Sequence, residues 1–111
     1  MMIELVLYNY LEEVMDVPVY FEIPDNAPDS FILLEKTSSS NQNKLNSATF
    51  AFQSYATSLY GAAKLNDELK KAIFNIVVLD DIAFVRLNSD YNFTDTTTKR
   101  YRYQAVFDFR Y

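Results

Sequence analysis

The chain contains no histidine and no cysteine, so any chemistry must come from Asp, Glu, Lys, Tyr and hydroxyl side chains. Losing histidine removes the commonest general base and metal ligand together. Losing cysteine removes disulfides, thiolate sites and thiol nucleophiles. Acidic pairs and oxygen-rich stretches remain. Glu12-Glu13 and Asp80-Asp81 place carboxylates side by side, and acid–base catalysis uses such pairs when their surroundings separate the two pKa values. Consecutive residues of a helix do not face one another, however, and Asp80-Asp81 falls where a helix gives way to a strand, a usual position for Asp. Both pairs read as solvated surface. Asp90-Tyr91-Asn92-Phe93-Thr94-Asp95 has the oxygen rhythm of a calcium loop but lacks the glycine and distal glutamate of an EF-hand, so it reads as a strand end and turn. Phosphate-cradling loops need glycines, and the single glycine, Gly61, lies inside a helical stretch. These exclusions predict a protein that is not an enzyme and needs no metal or cofactor.

The charges point to surfaces instead of reactions. At a net charge of −5 the chain lacks the concentrated basic footprint that binding to nucleic acid requires. Its basic residues Lys99, Arg100, Arg102 and Arg110 gather near the C-terminus, while Glu4, Glu12, Glu13, Asp25 and Asp29 make the rest negative. Such separation suits head-to-tail contact between identical subunits, in which one patch meets a different patch on the neighbour. The plainer alternative is a charged strand face kept for solubility and to protect a sheet edge.

The elements that would position these residues follow from periodicity. Ile3, Val6, Leu7, Tyr10, Leu11 and Val14 recur at three- and four-residue steps and predict an amphipathic helix over Met2–Met15. It stops before Pro18, which biases Val17 away from helical geometry. Alternation then predicts a strand over Val17–Ile23, with its proline at an edge or start, a turn over Pro24–Ser30, and an interior strand over Phe31–Lys36. Thr37–Lys44 is small and polar, too poor in apolar surface to fix itself, and predicts a mobile loop.

A third strand over Ala48–Tyr55 carries Ala48, Phe50, Phe52 and Ser54 on one face. Thr57 or Ser58 can cap the next helix, which runs roughly from Ser58 to Ile76 with a stripe of Leu59, Ala62, Asn66, Leu69, Ile73 and Ile76 in which only Asn66 is polar. Gly61 inside it implies close packing against a neighbour as compensation. Ile82–Asn88 reads as a strand and Ser89–Lys99 as a hairpin loop. The last strand, Tyr101–Tyr111, sets Tyr101, Tyr103, Ala105, Phe107, Phe109 and Tyr111 on one face, the expected floor beneath the helices. Arg100, Arg102, Gln104, Val106, Asp108 and Arg110 occupy the other. The expectation is one α+β domain over 1–111 in the order α-β-β-β-α-β-β. It has a mainly antiparallel sheet of four to five strands and two helices on one face. No apolar stretch approaches the ~20 residues needed to span a membrane, and the N-terminus lacks the pattern of a secretory leader.

Ser47-Ala48-Thr49-Phe50-Ala51-Phe52-Gln53-Ser54-Tyr55-Ala56 leads into Ser58-Leu59-Tyr60-Gly61-Ala62-Ala63-Lys64-Leu65-Asn66. Later come Tyr91-Asn92-Phe93-Thr94-Asp95 and Tyr101-Arg102-Tyr103-Gln104-Ala105-Val106-Phe107. This texture, over nearly the whole chain, resembles the tail terminator (tail completion) proteins of long-tailed bacteriophages, including those labelled minor capsid or tail-component proteins. The resemblance implies a late structural virion protein, assembled in the host cytoplasm at the head-proximal end of the tail. There a hexameric ring, built from subunits that can be monomeric in solution, would cap the tail tube, stop its growth and offer the surface for head attachment. Its partners would be itself, the tail-tube protein and a head-completion or connector protein, with no specific nucleic acid and no membrane. The candidate subunit or tube contacts are Ser38, Ser39, Ser40, Asn41, Gln42, Asn43, Lys44, Asp95, Arg100, Arg102 and Arg110. Two alternatives compete: a head-completion or connector protein that binds the portal, and a small ligand- or peptide-binding module using uncovered aromatics.

Overall fold

The structure, a computed structural model, describes residues 2–95, 97 and 100–111. Helix α1 (Ile3–Val14) is followed by strands β1 (Val19–Tyr20), β2 (Phe31–Gln42) and β3 (Leu45–Ala56), then helix α2 (Leu59–Phe74). A 3-10 turn (Asn75–Val78) leads on to β4 (Phe84–Asn92) and β5 (Tyr101–Arg110). The strands form one sheet in the order β1-β2-β3-β5-β4, antiparallel except for the β1–β2 pair. The final strand therefore inserts between β3 and β4, and the expected α+β architecture holds.

Both helices lie on the same face because their apolar stripes have nowhere else to go. Ile3, Leu7 and Leu11 of α1, and Leu65, Leu69 and Ile73 of α2, join Ile32, Leu34, Phe50, Phe52, Ala105, Phe107 and Phe109 in a single core. A hydrogen bond from the Tyr10 hydroxyl to the Ala72 carbonyl (2.7 Å) ties the helices together. Ser58 caps α2, its Oγ accepting the Gly61 N–H at 3.0 Å. A Cβ at Gly61 would stand 3.0 Å from that Oγ and 3.2 Å from the Ala56 Cβ, so close packing accounts for the glycine. Leu65 completes the buried stripe of α2, whereas Leu59 at its start is 42% exposed. The floor of the core is Ala105, Phe107 and Phe109, and the tyrosines at either end of β5 are only half-buried.

Three expectations are corrected. Thr37–Lys44 is not a mobile loop: β2 continues through Gln42 and pairs with β3 up to Gln42↔Leu45. Cross-strand bonds between Ser40 and Ser47 hydroxyls (2.7 Å) and from Asn41 to Asn46 (2.7 Å) join the ladder to hold a polar hairpin that burial does not. The first strand shrinks to Val19–Tyr20 because only that pair meets β2, while Phe21 leaves the sheet to stack on Tyr8 of α1 at 5.3 Å. The Ser89–Lys99 loop is shorter than expected: β4 starts at Phe84, passes a register shift between Leu87 and Ser89, and remains paired to Asn92↔Tyr103. Lys99 lies outside the described residues.

The hairpin turns on Asn43 (φ 53°) and Lys44 (φ 64°), the two positive-φ positions that a two-residue turn between twisted strands demands. Asparagine tolerates that region, but lysine is strained there by about 1 kcal/mol. Lys44→Gly is therefore expected to stabilise the fold by a few tenths to about 1 kcal/mol, the gain being trimmed by glycine's greater chain entropy when unfolded. Urea denaturation checks this; a lowered midpoint would contradict it.

Candidate interaction surface

The sheet face without helices carries the residues that the sequence points to, and pairing register decides which of them meet. Because side chains alternate along strands, that face receives Phe31, Leu33 and Glu35 from β2. Opposite them stand Thr49, Ala51, Gln53 and Tyr55 from β3, then Arg102, Gln104, Val106, Asp108 and Arg110 from β5. Phe84, Arg86, Ser89 and Tyr91 of β4 complete it.

At one end lies an aromatic and amide band. Phe31 stacks on Tyr55 (centroids 4.5 Å apart), and Tyr20 meets Phe31 edge-on at 5.8 Å. Arg102 donates from Nη1 to the Tyr55 hydroxyl (2.8 Å), which donates to Gln53 Oε1 (3.1 Å). Gln53 Nε2 then donates to Gln104 Oε1 (2.8 Å), and Gln104 Nε2 to the Tyr91 hydroxyl (2.5 Å). Every link runs donor to acceptor in one direction, an arrangement in which successive bonds strengthen one another. It lets Gln53 and Gln104 be buried without leaving a side-chain polar atom orphaned. Arg102 also donates from Nε to the Phe93 carbonyl (2.6 Å) and lies 4.4 Å from that ring's centroid. Arg102, expected to offer itself to a partner, is thus half-buried and bound within its own chain.

At the other end Asp108 accepts hydrogen bonds from Thr49 Oγ1 (2.7 Å), Arg86 Nη2 (2.7 Å) and Asn88 Nδ2 (3.2 Å). Burial pushes its carboxyl up, but these three bonds outweigh burial and hold it below the usual carboxylate range. A carboxyl lowered by folding contributes stability that is fully present above its unfolded pKa, about 3.9. That stability is lost as pH falls through the folded value. Asp108→Asn is therefore expected to flatten the acid limb of the stability profile below about pH 4. Acid limbs of equal steepness in the two proteins would refute the assignment.

The expected contact residues divide between two places. Ser40, Asn43 and Arg110 line one shallow cleft of about 230 Å³ at the hairpin base, together with Leu45, Asn46 and Ser47; Arg110 also lies over the Phe84 ring, its guanidinium 5.2 Å from the centroid. Ser38, Ser39 and Asn41 continue along the exposed hairpin, with Gln42 and Lys44 at its turn. At the far end of β5, Arg100 forms a backbone bridge with Asp95 and lies 5.9 Å from the Tyr55 ring centroid. Of the acidic pairs considered for catalysis, Glu12 accepts the Val19 N–H at 3.2 Å, and Asp80 and Asp81 are exposed. Among the described residues no group of three or more acidic side chains could hold a metal, and no helix is long and apolar enough to cross a membrane.

A polar contact on the helix side was signalled only by Asn66, the odd residue in an apolar stripe. It is buried, and its Nδ2 donates to Asp90 Oδ1 at 2.7 Å, while Lys70 reaches Asp90 Oδ2 at 2.5 Å. The bond to Asp90 raises the Lys70 pKa. Together they bolt α2 to β4.

No family model and no curated protein matches this sequence. The functional reading therefore rests on the resemblance of the sequence and on the arrangement of its residues.

Proposed function

We propose that the chain is a structural virion protein of a long-tailed bacteriophage. It caps the tail tube, ends its growth and presents the surface to which the head attaches, as a hexameric ring in the tail. The observation that carries this reading is the β2–β3 hairpin. The body is elongated, with principal extents of 44 × 25 × 25 Å. β5 pairs in register as far as Ser47↔Arg110, and Tyr111 adds a last bond from its N–H to the Asn46 carbonyl at 3.0 Å, so Asn41↔Asn46 stands at the margin of the sheet while Gln42↔Leu45 and the turn overhang it. Their side chains are amides, one lysine and Leu45, which is 65% exposed. An ordered arm of this kind reaches a neighbour without the entropy cost of folding a loop on contact. The rigid core under α1 and α2 supplies a wall from which it projects, and the acidic surface suits a passage for DNA that must not be held by its phosphates.

The test removes the overhang while preserving register: deletion of Asn41, Gln42, Leu45 and Asn46 leaves the Asn43-Lys44 turn joining Ser40 to Ser47. The wild-type chain is expected to stop polymerisation of purified tail-tube protein, and the shortened chain to fold yet fail to stop it. Normal capping by the shortened chain would overturn the role of the arm. Capture of portal protein but not tail-tube protein by the wild type would replace the reading with a head-completion role.

A further inference from the structure

The segment that leaves β1 for β2 holds apolar side chains in the open. It bends round a shallow trough of about 530 Å³, lined by Tyr20, Phe21, Glu22, Ile23, Pro24 and Asp25. Phe21 and Ile23 are 49% and 44% exposed. Neither is loose at the tip of a tail, because stacking on Tyr8 of α1 at 5.3 Å fixes the Phe21 ring. Single exposed apolar residues are ordinary, but a fixed aromatic beside an exposed aliphatic at a concave site marks an interaction surface. The charge around it decides what fits.

That charge has one sign. The first 35 residues hold eight acids and no Lys or Arg, whereas the other 76 hold seven acids and ten bases. The end of α1 lies beside the bend, since Glu12 accepts the Val19 N–H at 3.2 Å, so the exposed Glu12, Glu13 and Asp16 add their charge to that of Glu22 and Asp25. Among the described residues the ion pairs are Glu4 with Lys36, Asp67 and Asp90 with Lys70, and Asp108 with Arg86. None of them neutralises these five acids. The Glu12 carboxylate also pushes the Tyr8 hydroxyl above the usual phenol range, as an uncompensated negative charge does.

We infer that this trough docks a basic segment of another protein, with an apolar or aromatic side chain against Phe21 and Ile23 and flanking lysines or arginines over the acids. Opposite charge steers and orients the segment, apolar burial holds it, and a guanidinium can also lie on the Tyr20 or Phe21 ring. Nucleic acid and anionic bilayers carry the wrong sign for this site. A second copy of the chain is also poorly suited: its exposed Lys71 and Arg110 are offset by Asp80 and Asp81, Arg100 shares a cleft with Asp29, and Lys64 shares one with Asp67 and Asp90. The inference stands apart from the tail-capping reading, and its test uses no tail-tube protein.

The probe is a short fluorescently labelled synthetic peptide with lysines and arginines around one phenylalanine, titrated with the full chain by anisotropy at low and physiological salt. Binding is expected, weaker as salt rises. E22K/D25K should weaken it about tenfold or more, and I23S about fivefold, as losing a partly buried aliphatic side chain implies. D80K/D81K makes the same change in net charge at the opposite edge of the sheet and should leave affinity within about twofold, because salt screens distant charges. All the substituted positions are exposed, so the variants keep the fold, which circular dichroism verifies. Absence of binding to the wild type would overturn the inference. So would equal losses in E22K/D25K and D80K/D81K, which would reduce it to bulk attraction, unchanged binding by I23S, or equal binding of a peptide with glutamate in place of every base.

Discussion

Phe107→Ala is expected to remove about 3–5 kcal/mol of folding stability, the cost of emptying a fully enclosed aromatic site. Phe107 has no exposed surface and sits where the last strand, its two neighbours and α2 converge. It pairs in register with Phe50 of β3 and Leu87 of β4. Its ring meets Phe52 edge-on at 5.9 Å and Phe74 at 5.4 Å, and lies 6.3 Å from Phe109. Such contacts add to simple area burial, by about 0.5–1.5 kcal/mol per aromatic pair. A loss of that size is a large share of the ~5–15 kcal/mol by which a domain is stable, so the variant should populate unfolded chain at ordinary temperatures. Urea denaturation of wild type, Phe107→Leu and Phe107→Ala checks the ordering, with leucine intermediate because it refills part of the space. A loss below about 1.5 kcal/mol for alanine would mean that the site collapses far more readily than enclosed aromatic sites do.

That residue was legible early, and the reason is physical. Phe107 belongs to a run of alternation broken only by Val106, and alternation is a property of one strand by itself. The α2 stripe and the Ser58 cap were legible for the same reason, since a helix satisfies its pattern within a few residues. The hairpin was not. Its Thr, Ser, Asn and Gln side chains have the composition of a loop, and the ladder that orders them depends on a partner strand that composition does not encode. Gln53 and Gln104 show the same limit at the candidate surface. Gln104 reads as an outward polar residue of the last strand, and only the register that sets Gln53 opposite it turns the two into one buried relay. Arg110 and the hairpin base came together for a like reason, through the pairing of Ser47 with Arg110.

Arg102 is the residue whose role the fold changes most, and its substitution separates a structural clamp from a docking contact. Its guanidinium fork makes two directed bonds, to the Phe93 carbonyl and the Tyr55 hydroxyl, while its plane lies against the Phe93 ring. Hydrogen bonds from charged donors contribute about 1.5–3 kcal/mol each where they are well formed, and these two share one side chain, so their losses do not simply add. Arg102→Ala is expected to cost about 2–3 kcal/mol and to free the Tyr55 hydroxyl at the head of the amide relay. Arg102→Lys should recover only part of this, because a single ammonium on a flexible stem cannot reproduce the fork or its stacking. Hydrogen exchange offers the local readout: amides from Phe93 to Asp95, whose N–H groups at Phe93 and Asp95 bond back to Arg102 and Arg100 carbonyls, should exchange faster in both variants. A pure docking contact would behave otherwise, leaving the isolated chain as stable as wild type with unchanged exchange at those amides, and that result would return Arg102 to the interface.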